Sequence, residues 1–375
     1  MNRSINGQLI KPAQACRWDA VALGEVMLRF DPGESRITNA SSFQVWEGGG
    51  EYNVVRGLAS CFGLRTGMVS AFADNPVGRL IEGLMRRGGV EGAQINWVPS
   101  DGIGLSTRNG LNFVERGYGV RGPLGYSDRG RTAVSQIQPG DIDWDQIFGE
   151  FGVRWFHCGG IFAALSDTAA EVAREAMTSA RRYGTVVSYD LNYRESLWDV
   201  QGGAARAAEV NRSLLDHVDI LFGVGRDGRH ALGYEFGVVD ERSEELDLTD
   251  YEPLLSGILE RHPGLQLVAT TARRVITASR HDWGAAAATH EGFIAGPCLE
   301  GLEVFDRVGA GDSFAAGFIY SLLGNGLVNP AAIVPALAYG VAHGALTMTT
   351  PGDTSMATLA EVQSLVDGRA AAVSR

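Results

Sequence analysis

Apolar positions along the chain change period several times, and those changes predict the order of elements. Residues 20–28 (AVALGEVML) and 66–73 (TGMVSAFA) are mostly apolar runs, the pattern of strands buried on both faces of a parallel sheet. Val77, Leu80, Ile81, Leu84 and Met85 recur at helical spacing, so an amphipathic helix is expected over 77–85, ended by Gly88 and Gly89. From about residue 153 the alternation becomes regular. WFHCGGIFA reads as a strand and turn, 168–183 as an Ala-rich helix, TVVSYDL as a strand, 204–216 as a helix and VDILF as a strand. Further on, LQLVATT reads as a strand and 312–323 as a helix. Strands alternating with helices imply right-handed crossovers and an α/β fold with a doubly wound, mostly parallel central sheet, whose ligands sit beyond the carboxyl ends of the strands.

Two stretches break that rhythm. Residues 33–47 and 103–135 are alternating or Gly-rich with no helical period, and are expected to form a small β lid inserted into the α/β core. The expected organisation is therefore an N-terminal extension over 1–19 and one domain over 20–370 that carries the lid. The polar, acidic stretch 236–252 reads as a surface loop.

Composition adds limits to this picture. The chain has 375 residues, 45% hydrophobic and 20% charged, which is enough apolar surface for a large core. Glycine is over-represented, at 50 residues, and suggests loops that approach a ligand closely. A formal net charge of −12 with no dense basic run disfavours nucleic acid and anionic membranes as partners. An anionic nucleotide would have to be held locally, by backbone amides, helix N-termini or single arginines. Cys16, Cys61, Cys158 and Cys298 are widely spaced, without a C-x-x-C pair, which fits a reducing cytoplasm better than a disulfide scaffold or a zinc site. The start of the chain lacks an apolar signal region and nowhere do 18 apolar residues run together, so neither secretion nor a membrane span is expected. His157 and His281 stand isolated and are expected in the core or at the surface rather than on a metal; the seven tryptophans are expected to pack the core.

The sharpest chemical signal is Asp306-Arg307-Val308-Gly309-Ala310-Gly311-Asp312, followed by SFAAGFIYSLL. Ala315, Phe318, Ile319 and Leu322 share one helical face, so a buried helix is expected to begin near Asp312. Gly309, Ala310 and Gly311 would then present backbone N–H groups at a helix N-terminus, where negative charge is favoured. Such donors can stabilise charge on a transferring phosphoryl group while a carboxylate beside them takes a proton from an attacking hydroxyl. In isolation the same four residues are equally consistent with Asp312 serving only as a helix cap.

Several separated segments resemble the ribokinase-like (PfkB) sugar kinases, and within them most the 2-keto-3-deoxygluconate kinases. DRVGAGDSFAAGFIY is similar to the family's second signature, which implies an anion hole at Gly309, Ala310 and Gly311 and a catalytic base at Asp312. WEGGGEYNVVRGLASCFGLRTGMVSAFADNPVGRL resembles the first signature and implies sugar contacts at Gly48, Gly49 and Asn53. SYDLNYRESLW resembles a strand-end motif of the ketodeoxygluconate kinases, mapping onto Asp190, Asn192, Arg194, Leu197 and Trp198. The resemblance implies that Asn192 approaches nucleotide phosphates and Arg194 a sugar acid, and a planar guanidinium suits a carboxylate. GLNFVERGYGVRGPLGYSDRG resembles the sugar-covering strands, with Tyr126 and Arg129 near a Tyr-X-Arg pair but one residue further apart, and Asn112 where a tyrosine is common. PGDTSMATLAEVQSLV resembles the subgroup's tail, so the likeness runs from Ala20 to about Asp367.

Two segments depart from the pattern. After VDILF the family's Asn-Glu-Glu-Asp-like element is replaced by Val224-Gly225-Arg226-Asp227, leaving only Asp227 acidic; ATTARRVITASRHDWGA stands in place of a Gly-rich nucleotide loop and makes Thr270 and Thr271 candidate nucleotide contacts. The resemblance implies ATP and Mg²⁺, a sugar or sugar acid as acceptor, and a homo-oligomer, formed as a dimer through the lid or as a larger assembly. Fructokinase or other keto-sugar-acid kinase chemistry on the same fold, and a non-catalytic paralogue that binds sugar acids, are the alternatives.

Overall fold

The computed structural model describes residues 8–225, 228–235, 245–325, 327–328 and 330–369. Its strands, in chain order, are β1 (Gln8–Leu9), β2 (Trp18–Leu23), β3 (Met27–Asp31), β4 (Gln44–Gly48), β5 (Thr66–Asp74), β6 (Val90–Pro99), β7 (Leu111–Glu115) and β8 (Leu124–Asp128). They continue with β9 (Val153–Gly159), β10 (Val186–Asp190), β11 (Ile220–Phe222), β12 (Leu267–Thr277), β13 (Arg280–Thr289), β14 (Gly292–Glu303) and β15 (Leu327–Val328). A nine-stranded sheet runs in the order β14-β13-β12-β11-β10-β9-β2-β5-β6, parallel from β12 to β6 and antiparallel across β12, β13 and β14.

Strand alternation sends side chains into a layer on each side of this sheet. On β2, Val21 and Leu23 enter one apolar cluster and Ala20 and Ala22 the other. The first cluster is covered by the helices Asp167–Arg182, Gly203–Leu215 and Glu252–Arg261. The helices Gly50–Ser60, Pro76–Arg87, Ala310–Asn325 and Pro330–Thr347 cover the second. Local signals fix several helix starts: Ser166 accepts a hydrogen bond from Ala169 N at 3.1 Å, and Asn75 caps a helix that begins with Pro76. The chain winds from β2 outward to β5 and β6, then returns to β9 and proceeds through β10 to β12, so the winding reverses between β2 and β9. Ligand crevices in such sheets form at that reversal, beyond the carboxyl ends of the strands.

A separate four-stranded sheet, in the order β4-β3-β7-β8, is the lid. Here the structure corrects the sequence reading. The apolar run 20–28 is not one strand: it ends at Leu23, turns through Gly24-Glu25-Val26, and re-emerges as β3 in the lid. A Cβ on Gly24 would lie 2.4 Å from Glu51 Oε2, so the turn passes where only glycine fits. The lid thus begins at Met27 rather than at 33, and its strands occupy only Gln44–Gly48, Leu111–Glu115 and Leu124–Asp128 within the expected stretches. The expected boundary at residue 20 also shifts, since β2 starts at Trp18 and β1 pairs with β15. The strand expected at LQLVATT continues to Thr277 as one arm of a hairpin with β13. His157 and His281 are both buried. No helix among the described residues is long and apolar enough to cross a membrane.

Candidate active site

The turn before the helix Ala310–Asn325 is built by its own residues. Asp306 Oδ1 accepts the Val308 N–H at 3.1 Å, Gly309 follows at φ +79°, and Ser313 N donates to Gly309 O at 2.8 Å to open the helix. A side chain at Gly309 is excluded, because its Cβ would stand 1.8 Å from the Asp353 carbonyl oxygen. The helix starts at Ala310, two residues before the start expected from its apolar face. Its first-turn amides have no intrahelical acceptor and form an anion-favouring end. Gly309, Ala310, Gly311 and Asp312 all line a cavity of about 760 Å³ at the carboxyl ends of the parallel strands.

A second helix end meets them there. Gly49, at φ +153°, precedes the helix Gly50–Ser60, and a Cβ on it would lie 2.0 Å from Glu25 O. One turn in, Asn53 Nδ2 donates to Asp312 Oδ2 at 2.7 Å. Burial pushes the Asp312 carboxyl up to about 8; Asn53 works against the shift, and the nearby Asp190, Glu51 and Asp353 add to it. Burial likewise raises Glu51 to about 7 and Asp190 to about 6, the latter opposed by the Asn192 N–H and by Arg194. Glu51 occupies the reversal point itself, since Cβ atoms on Gly24 and Gly159 would approach its carboxyl group within 2.4 and 2.8 Å. The same cavity is also lined by Arg129, Arg194, Arg273 and Arg307, so carboxylates and guanidinium groups share its walls.

β10 ends at Asp190, so Asn192 and Arg194 lie on a turn rather than on a strand as expected. Asn192 adopts φ +32° with its N–H on Asp190 Oδ1 at 3.1 Å, and both Asn192 and Arg194 face the cavity. Thr270 Oγ1 accepts the N–H of the cavity-lining Gly225 at 3.0 Å. Thr271 and Arg273 share a face of the β12–β13 hairpin and both line the cavity. Val224 is buried in the core between Gly223 and Gly225, which line the cavity, and is not itself among the lining residues. Arg226 and Asp227 lie outside the described residues.

From the lid, Asn112 and Ser127 face the cavity, with Ser127 Oγ donating to Asn112 Oδ1 at 3.0 Å, and Arg129 Nε stands 3.5 Å from Glu25 Oε2. Tyr126 does not join them. It is 64% exposed and lies in a row with Phe113, Phe30 and Val45 across the four strands, on the face opposite to Asn112 and Ser127. Gly48 also stays out of the lining and packs on Asp353, whose Oδ2 would be 2.3 Å from a Cβ there. The sequence reading did not single out Glu25, Glu51, Arg273, Arg307 or Asp353. Glu51 carries a usable signal, an acidic residue between the glycines and Asn53; Asp353 lies in the tail segment PGDTSM, but nothing there assigns it chemistry.

Two helix N-termini, a hydrogen-bonded carboxylate between them and a lid across the opening make the arrangement of a small-molecule kinase. Residues 19–359 match the family model described as pfkB family carbohydrate kinase, and the chain belongs to that family. It is 29% identical over 358 residues to a 2-dehydro-3-deoxygalactonokinase of Haloferax volcanii, covering 95% of this chain and 99% of the relative. Among solved structures it is similar to the 2-dehydro-3-deoxygluconokinase of Thermotoga maritima, at 30% identity and a TM-score of 0.82, covering 93% of this chain and 99% of the other. A fructokinase of Xylella fastidiosa solved with bound ATP shares the fold, at 20% identity and a TM-score of 0.68, covering 93% and 98%.

Proposed function

We propose that the protein transfers the γ-phosphoryl group of ATP to the primary hydroxyl of a small sugar acid, with 2-keto-3-deoxygluconate, giving the 6-phosphate, as the first candidate. The observation that carries this reading is the Asp312 carboxylate, held by Asn53 beside the amides of Gly309, Ala310 and Gly311. Asp312 accepts the hydroxyl proton as the new O–P bond forms and the bond to the β-phosphate oxygen breaks, releasing ADP. A carboxylate whose proton affinity lies near neutral pH is a better base for an alcohol than an ordinary one. The amides stabilise the charge spread over the transferring group.

Gly49, Asn53 and Asn112 border the sugar in this reading, while Arg194 and Arg129 hold its acid end. Asn192, Thr270 and Thr271 face the nucleotide. Asp190 and Glu51 are the carboxylates that would meet a Mg²⁺ carried by the nucleotide, which would neutralise phosphate charge; the buried Glu51 Oε2 has no hydrogen-bond partner of its own. The relatives that act on 2-keto-3-deoxy sugar acids support the choice of acceptor. One observation favours a second reading, a neutral keto-sugar such as fructose: Arg129 already faces Glu25, which leaves Arg194 as the main partner for a carboxylate. An ADP-release screen over sugar acids and neutral hexoses separates the two, and no turnover with either would remove both. The apolar row of Val45, Phe30, Phe113 and Tyr126 is the lid face on which a second copy would dock, and light scattering of wild type against Tyr126→Asp tests that assembly.

A further inference from the structure

Arg29 belongs to lid strand β3, yet its side chain is fully buried beneath the lid. Its guanidinium meets three carboxylates. Nη1 donates to Asp353 Oδ1 at 2.6 Å, and Nη2 donates to Asp306 Oδ2 at 2.5 Å and to Asp31 Oδ2 at 3.2 Å. Arg116, also a lid residue in sequence, approaches Asp31 from the other side, with Nε 3.4 Å from Oδ2, while stacking on the ring of Phe305. The cluster therefore holds two cations and three carboxylates, all at the joint between the lid and the α/β body.

Two of these carboxylates also shape the phosphoryl end of the site. Asp306 has one oxygen on Arg29 and the other on the Val308 N–H, the hydrogen bond that sets the turn into Gly309. Asp353 holds Arg29 through its side chain, while its carbonyl oxygen lies against Gly309 and its carboxyl group against Gly48 of lid strand β4. A single planar group thus joins a lid strand to both segments that fix where the Gly309–Gly311 amides point. Removing it would leave three carboxylates without their shared partner, and a lysine cannot reproduce the fork, because it offers a point charge in place of a planar array of donors.

We propose that Arg29 is a positioning residue that sets the anion-binding turn and the lid in register, so that the phosphoryl-binding amides reach their working geometry only with the lid strand seated. The catalytic consequence rests on the kinase reading above, whereas the mechanical coupling does not. Misplacement of such groups by about 1 Å costs about 100-fold in rate, so turnover should fall about 10- to 100-fold when the fork is lost.

The test must separate positioning from stability. Arg29→Met alone unbalances the cluster and is expected to lower Tm along with kcat. Adding Asp31→Asn, which lines no part of the cavity, restores the net charge of the cluster and is expected to recover part of the lost Tm. In this double variant kcat should stay about 10- to 100-fold down while KM for the sugar changes by less than about threefold. Arg29→Lys, which keeps the charge, should recover only part of kcat. Hydrogen exchange on the protein alone provides the independent readout: β3 and residues 307–312 should exchange faster together in the double variant, with β9 unchanged. Recovery of kcat together with Tm, or full kcat in Arg29→Lys, would overturn the inference, as would faster exchange in β3 without the turn. If the wild type phosphorylates no sugar, the kinase reading fails and exchange alone decides the coupling.

Discussion

Removing the Asn53 amide should change the pH at which the enzyme works rather than merely weaken it. In the wild type this amide donates to Asp312 Oδ2 at 2.7 Å and opposes the effect of burial, which holds the carboxyl at about 8. A hydrogen bond to a charged group contributes about 1.5–3 kcal/mol. At about 1.36 kcal/mol per pH unit, its loss in Asn53→Ala raises the carboxyl by a further one to two units, roughly. The ascending limb of kcat/KM against pH, followed by coupled ADP release with a saturating nucleotide, should move up by that amount. At pH 7 the variant should be about 10- to 100-fold slower, and much of the loss should disappear at alkaline pH. A loss equal at every pH, with the limb unmoved, would show that Asn53 does not tune Asp312 and leave Asn53 as a sugar contact only.

The other variants probe separate parts of the site. Arg194→Ala should cost about 2–4 kcal/mol in kcat/KM on a sugar acid and much less on a neutral sugar, with lysine restoring only part; equal losses on both would reassign Arg194. Gly309→Ala places a Cβ against the Asp353 carbonyl at φ +79°, so both Tm and kcat should fall, and an unchanged Tm by calorimetry would contradict the described turn. Asp312→Asn should lower kcat by about 100-fold or more. It should also change the pH dependence of stability. Because the folded state raises this carboxyl above its ordinary value, its contribution to stability is complete below about pH 4 and is lost as pH rises towards 8. The variant escapes that loss, so its Tm should exceed that of the wild type at pH 8.5, with the difference shrinking as pH falls towards 4.

What the sequence discloses follows from how local each determinant is. The turn at Gly309 and the helix after it are specified by adjacent residues, so that turn and helix start were legible, and so were the Ser166-capped and Pro76-started helices. The break at Gly24 was not, because an apolar run looks the same whether it stays in one sheet or crosses into a second, and the crossing is imposed by Glu51 packing where a Cβ would stand. The helix Pro330–Thr347 is apolar nearly all round and contains Pro335, so it offers no helical period to detect. Tyr126 and Arg129 looked like partners from their spacing, but strand alternation sends Tyr126 to the outer face of the lid. The contact between Arg29 and Asp353 joins opposite ends of the chain, and no local pattern announces it.

The central claim is that Asp312 accepts the proton of a sugar-acid hydroxyl as phosphorus moves onto that oxygen. Its most direct test is phosphorus and proton NMR of a reaction containing ATP, Mg²⁺ and 2-keto-3-deoxygluconate, run with wild type and with Asp312→Asn. One new phosphomonoester, coupled to the protons of the primary carbon, should appear at the rate of ADP release in the wild type and about 100-fold more slowly in the variant. A phosphate on any other oxygen, ADP formed with only inorganic phosphate, or equal rates from the two proteins would contradict the claim.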